Sequence, residues 1–255
     1  MVNQWDLPAL GLSQLPTHSD SAFEEPMDRT ASASDLTRRD ALRAAALASA
    51  GLAAGTLPLS GAEAPPQEPT DPAEALERLM AGNARFVDGE SRSPRRGMAR
   101  VEELAAGQTP FAAILGCADS RVPVEILFDE GFGDLFTVRV AGNVATPEEI
   151  ASLEYAVGVL GSQVVLVLGH SSCGAVTAAV QGGPVPGQIS SLFQHITPSV
   201  PEGATLDEAI EANVRYQANV LRSASPVMRD ALNQGTVAVR GGVYSLEDGR
   251  VRLLD

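Results

Sequence analysis

The chain holds two cysteines, Cys117 and Cys173, and His170 stands three residues before the second. Two thiolates and an imidazole make a soft donor set of the kind that selects zinc, and three protein ligands leave a fourth coordination position for chemistry. A separation of three lets one turn of chain aim His170 and Cys173 at a single ion. Other readings of the same residues stay open at this point. The cysteines could close a disulfide or serve as small core hydrophobes, with His170 a satisfied core histidine. Asp119 follows Cys117 by two positions and Arg121 by four, so a guanidinium fork could grip a carboxylate through two hydrogen bonds. An ordinary structural ion pair is the alternative for that dyad.

Both half-sites terminate apolar runs. Residues 111–116 lead into Cys117, and residues 163–169 lead into His170. Together with 134–140 and 236–240, these runs predict parallel strands buried on both faces. Helical spacing of Leu76, Leu79, Met80 and Phe86 predicts a helix opened by Asp71 and Pro72, with Asp71 as its N-cap. A second helix is predicted over 98–106, stopping at Gly107. Residues 147–160 read as the crossover before the third strand, and Gly174–Val180 opens the helix after it. Residues 243–253 read as a hairpin around Asp248-Gly249. The segment around His195 shows no assignable element. The fold class is therefore α/β: a mostly parallel central sheet flanked by helices, with an N-terminal helical arm. In such sheets ligands gather beyond the carboxyl ends of the strands, which brings Cys117, His170 and Cys173 to one place.

Cys-x-Asp-x-Arg followed some fifty residues later by His-x-x-Cys resembles the signature of the β-carbonic anhydrases. Gly107-Gln108-Thr109-Pro110-Phe111, Asp134-Leu135-Phe136, Arg139-Val140-Ala141-Gly142-Asn143, Ser152-Leu153-Glu154-Tyr155-Ala156-Val157 and Gly174-Ala175-Val176 are similar to family text in family order. The likeness runs from about Pro72 to Leu254. It implies reversible hydration of carbon dioxide to bicarbonate and a proton on a Zn2+ ion held by Cys117, His170 and Cys173, through a bound water whose pKa in catalytic zinc sites can fall to about 7. It further implies that Asp119, kept ionised by Arg121, accepts a hydrogen bond from the zinc-bound nucleophile, or in a closed, inactive state becomes a fourth ligand. Gln108 matches a residue that donates to substrate, and Phe136 and Tyr155 match aromatic walls of the substrate pocket; a loop residue and plain core packing are the bland readings. Gly174 would allow close backbone approach at a helix start. Ile114 stands where a bicarbonate-inhibited subgroup carries Trp, which points to the open, unregulated type, although Arg139 is present. The family parallel also implies a homodimer or a multiple of dimers, with the helix around Leu76–Phe86 either an arm onto the partner or packed on its own domain. Competing functions are a hydrolase of carbon disulfide or carbonyl sulfide on the same fold, a non-catalytic zinc protein, and a thiol redox protein. The last lacks Cys-x-x-Cys and leaves the Asp119–Arg121 dyad unexplained.

The formal charge is −14 and every one of the 18 basic residues is Arg. An acidic chain without a basic stripe argues against nucleic acid as a partner. Hydrophobic residues make up 44%, ample for one α/β domain. Residues 1–34 carry scattered Ser, Thr, Asp and Pro and read as a disordered extension, with Met27 an alternative start. Arg38-Arg39 ahead of the short Ala-rich run 44–59 resembles a twin-arginine export signal over 35–64. An Ala-rich amphipathic helix or a retained anchor is the competing reading of that run. No stretch is long and apolar enough for a stable membrane span in the mature protein. Residues 65–71 form a Pro/Glu-rich linker, and the domain proper covers 72–255. The expected compartment is therefore extracytoplasmic, reached by the twin-arginine route, or the cytoplasm if that run is not a signal.

Overall fold

The computed structural model describes residues 68–254. The extension 1–34 and the export-like segment 35–64 lie outside the described residues, as does the start of the linker. Helix α1 (Pro72–Val87) begins as expected: the Asp71 carboxylate accepts hydrogen bonds from the backbone N–H groups of Ala73 and Glu74 at 2.8 and 3.0 Å. Pro72 occupies the first turn, where an N–H would have no helical partner. The chain continues through α2 (Met98–Leu104), β1 (Ala112–Gly116), α3 (Val124–Leu127), β2 (Leu135–Arg139), α4 (Pro147–Gly158), β3 (Val164–His170) and α5 (Gly174–Gln181). It closes with α6 (Phe193–Ile196), α7 (Leu206–Ala224), α8 (Pro226–Gln234), β4 (Ala238–Tyr244) and β5 (Val251–Leu254). Helix α2 stops short of Ala106, and none of its residues is buried.

The five strands form one sheet in the order β2-β1-β3-β4-β5, parallel except for the antiparallel β4–β5 pair. Alternation along the strands divides the core into two layers. Ile114, Leu166 and Leu168 face Leu79, Leu127 and Phe128 on one side. Leu115, Val165 and Val167 face Leu153, Leu221 and Met228 on the other. Every residue of β1 and β3 is buried, the expected result for central parallel strands covered by helices on both faces.

Helix α1 packs on its own domain through its buried face. Leu79 is buried in the first layer, and Asn83 ties the helix down. Its Nδ2 donates to the carbonyls of Leu127 and Gly249 at 3.2 and 2.9 Å, and its Oδ1 accepts from Val251 N–H at 2.8 Å. Arg78 donates to both carboxylate oxygens of buried Glu130, at 2.9 and 2.8 Å, and lies 4.0 Å from the Phe111 ring centroid.

Two features differ from the expectation. The fourth strand and the first arm of the hairpin are a single strand: β4 pairs with β3 along Ala238–Tyr244 and with β5 over its last four residues. Gly241 and Gly242 interrupt the apolar run without interrupting the strand, because helix α7 crosses there. A Cβ on Gly241 would lie 2.8 Å from Val214 Cγ1, and one on Gly169 of β3 would lie 2.5 Å from Val214 Cγ2. The second difference is the helical pair α7 and α8. Helix α7 carries a capping box between Thr205 and Glu208, and α8 is capped by Ser225 and closed by Gly235 in the left-handed conformation.

Candidate metal centre

Cys117 leaves the end of β1 and His170 ends β3, so parallel neighbours in register deliver both to the same edge of the sheet. Cys173 occupies the N-cap position of α5. Between His170 and Cys173 the chain turns through Ser172 at φ +56°, a left-handed conformation that a residue with a Cβ rarely adopts. That turn aims both ligands the same way. The two sulfurs and an imidazole nitrogen lie within 4.8 Å of one another, with 4.0 Å between the sulfurs. All three residues are buried.

The donor set fits zinc on three grounds. Two sulfurs at about 2.3 Å from a tetrahedral zinc stand roughly 3.8 Å apart, close to the 4.0 Å found here. His170 Nδ1 is 2.9 Å from the carbonyl of Ser171. A carbonyl only accepts, so Nδ1 carries the proton and Nε2 presents a lone pair. That Nε2 is buried with no hydrogen-bond partner, a costly arrangement for a polar atom unless an ion completes it. The thiols supply the third ground. Cys117 is pushed down to about 4 by the hydrogen bond from Cys173, while that same bond and burial push Cys173 up. A divalent ion held between the sulfurs lets both ionise.

Asp119 borders the cluster, its Oδ2 3.8 Å from His170 Nε2. Arg121 grips it as the spacing suggested: Nε donates to Oδ1 at 2.9 Å, Nη2 to Oδ2 at 2.8 Å, and the Arg121 backbone N–H adds a bond to Oδ1 at 2.9 Å. The guanidinium holds the Asp119 carboxyl well below the usual carboxylate range. Arg139 fixes the same loop from beneath, donating from Nε to the Cys117 carbonyl at 2.9 Å and from Nη2 to the Asp119 carbonyl. Its side chain is thus spent on backbone. No local sequence pattern announces that role. Gly142 N–H points at Cys117 Sγ at 3.4 Å, a second contact legible only in the structure.

The residues expected on the substrate side lie in several places. Gln108 is exposed and lines a surface hollow with Val101, Leu104 and Phe132. Phe136 and Tyr155 meet as a tilted ring pair, centroids 6.3 Å apart, with Tyr155 half exposed. Gly174 opens α5 beside Cys173, and a Cβ there would meet nothing within 4 Å of this chain. His195 sits in α6, where its carbonyl accepts from Gln217 Nε2 at 2.9 Å.

The family model described as carbonic anhydrase matches residues 112–251, more than half of the chain. The sequence is 40% identical over 195 residues to carbonic anhydrase 2 of Mycobacterium tuberculosis (strain CDC 1551 / Oshkosh), covering 73% of this chain and 94% of that protein. It is 42% identical over 193 residues to a carbonic anhydrase of Mycolicibacterium smegmatis, covering 72% and 94%. Among solved structures, the β-carbonic anhydrase of Coccomyxa in complex with acetazolamide superposes with a TM-score of 0.56 at 28% identity, covering 70% of this chain and 86% of that one.

Proposed function

Since this chain belongs to the β-carbonic anhydrase family, we propose that it catalyses the reversible hydration of carbon dioxide to bicarbonate and a proton at a zinc ion held by Cys117, His170 and Cys173. The observation that carries this reading is the buried sulfur–nitrogen–sulfur cluster with an orphaned His170 Nε2 and an ionised carboxylate beside it. Zinc bound there supplies a Lewis acid that activates water at neutral pH.

The chain's own residues do the rest. Ionised Asp119 can accept hydrogen bonds but donate none, so it orients the nucleophile with its lone pair toward substrate and its proton toward the carboxylate. Arg121 keeps that carboxylate turned and charged, and keeps it from swinging onto the metal. The Asp119–Arg121 pair in this form supports the open, substrate-accepting arrangement. We assign Gln108 as a donor to substrate oxygen, Phe136 and Tyr155 as the apolar wall that a small nonpolar gas requires, and Gly174 as the point where the backbone leaves room beside Cys173. The half-exposed face of Tyr155 and the exposed side chains of Met98, Ile126 and Phe132 support assembly into a dimer or a multiple of dimers that completes this wall. An active monomer in light scattering would refute that assembly.

Arg38-Arg39 ahead of an Ala-rich segment supports export by the twin-arginine route. That route carries folded proteins, so zinc can occupy both thiolates before they meet an oxidising compartment. Replacing both arginines with Lys should leave active enzyme inside the cell; normal export of that variant would refute the assignment and leave the catalytic reading intact. The activity itself is tested by stopped-flow detection of the proton released when the purified chain meets carbon dioxide. A saturable rate far above buffer is expected, with carbon disulfide and carbonyl sulfide turned over no faster than in buffer; the reverse preference would overturn the assignment.

A further inference from the structure

Helix α7 places two amides where an apolar helix face would ordinarily carry hydrocarbon. Asn213 is 0% exposed and Gln217 1% exposed. Each is used at both ends. Asn213 Nδ2 donates to the Gly142 carbonyl at 2.9 Å, and Asn213 Oδ1 accepts from Gln217 Nε2 at 2.9 Å. Gln217 Oε1 accepts from Ala145 N–H at 2.9 Å, and its Nε2 also reaches the His195 carbonyl. Burying two amides is costly unless all of their partners are in place. A fully partnered pair aimed at one short turn is therefore a device for holding that turn.

The turn it holds is 141–145. Its Gly142–Asn143 peptide is clamped at both polar ends: the carbonyl by Asn213, and the Asn143 N–H by the Val140 carbonyl at 2.9 Å. Gly142 itself has φ +76°, and an added Cβ would lie 2.8 Å from Ile196 Cδ1. A glycine at positive φ is free to rotate unless its neighbours stop it. With the following peptide fixed, the Gly142 N–H is left pointing at Cys117 Sγ, 3.4 Å away. Amide N–H groups on a ligating sulfur draw charge from it and set how strongly it donates to the metal.

We propose that Asn213 and Gln217 are positioning residues of the metal centre: through the Gly142 turn they hold a backbone N–H on the Cys117 sulfur and so tune that ligand. The proposal rests on the zinc reading above. The chain makes the link Gln217 to Asn213 to Gly142 to Cys117 with no hydrogen bond from either amide to a metal-ligand side chain.

The test substitutes Co2+ into the full-length protein and reads the sulfur-to-cobalt charge-transfer band together with Co2+ and Zn2+ affinity. Asn213→Asp keeps the shape and, read at a pH where the carboxyl is ionised, offers Gly142 no donor. Gln217→Glu keeps the acceptor for Ala145 and loses the donor to Asn213, and it serves if the first variant fails to fold. Asn83→Ala, which removes three hydrogen bonds to Leu127, Gly249 and Val251, none of them in the metal loop, controls for lost stability alone. The expected result is a charge-transfer band moved to longer wavelength in the Asn213 and Gln217 variants, because an unbonded sulfur gives up charge more easily. Metal affinity should fall about tenfold, the low end for outer partners of a metal ligand, while the band of Asn83→Ala stays at the wild-type position. A wild-type band and affinity in a folded Asn213→Asp or Gln217→Glu protein, or an equal shift in Asn83→Ala, would overturn the proposal. A wild-type protein with no sulfur charge-transfer band would instead overturn the metal centre itself, and the proposal with it.

Discussion

Replacing Arg121 with Ala removes two of the three hydrogen bonds that fix the Asp119 carboxylate and leaves the backbone one at 2.9 Å. The cost to folding and the cost to turnover should separate. The Arg121 side chain is 54% exposed and that of Asp119 18%, so solvent screens the pair. Exposed ion pairs of this kind contribute about 0–1 kcal/mol. For a domain of this size, 1 kcal/mol moves Tm by roughly 2–4 °C. Turnover depends on where the carboxylate sits, and a misplacement of about 1 Å costs on the order of 10²-fold, or roughly 2.7 kcal/mol of barrier. The hydrogen bonds of Arg121 all go to Asp119 and none to the three metal ligands, so zinc content should be unchanged. The expected outcome is a kcat lower by about 10²-fold, a Tm within about 4 °C of wild type, and full metal. Arg121→Lys should fall between, since an ammonium cannot reproduce the bidentate fork. Calorimetry, metal analysis and stopped-flow hydration on one preparation decide it. Wild-type kcat across the working pH range would reduce the dyad to a structural ion pair, and metal loss in step with activity would show that the clamp belongs to the metal site itself.

Asp129 is buried, and burial alone would raise its pKa, but N–H donors from Arg92 and Ser93 and the Arg85 guanidinium outweigh that and hold it below the ordinary value. A depressed carboxyl contributes stability that is complete above its unfolded pKa of about 3.9 and is lost as pH falls through the lower folded value. Asp129→Asn should therefore destabilise at pH 7 and flatten the acid side of the stability profile in chemical denaturation; an unchanged acid slope would refute the linkage. Gly169→Ala should cost about 1–3 kcal/mol by overpacking against Val214, as its Cβ would lie 2.5 Å from Val214 Cγ2. Adding Val214→Ala should recover part of that loss, and strict additivity of the two changes would contradict the close approach of α7 to the sheet.

The metal triad is legible because each half-site ends an uninterrupted apolar run, which places Cys117 and His170 at strand ends. The Asp119–Arg121 grip followed from spacing alone. Helix α7 was not legible, and the reason is chemical. Asn213 and Gln217 sit in the middle of its buried stripe, so hydropathy falls where packing is tightest. The Thr205–Glu208 capping box was the signal that remained. Strand β4 was cut short for a related reason: Gly241 and Gly242 look like a break, yet Gly241 lacks a side chain because Val214 occupies the space. The roles of Arg139 and the Gly142 N–H depend on backbone carbonyls and a sulfur brought together across two loops, which no local pattern encodes.

Zinc-edge X-ray absorption on the purified full-length chain, read beside its carbon dioxide hydration rate, is the most direct test of the centre. About one zinc per chain is expected, with two sulfurs near 2.3 Å and one imidazole nitrogen from the protein. Cys173→Ser should lose most of the metal and the activity together. A metal-free wild-type protein that hydrates carbon dioxide at the full rate, or a bound zinc with no sulfur in its shell, would contradict the assignment.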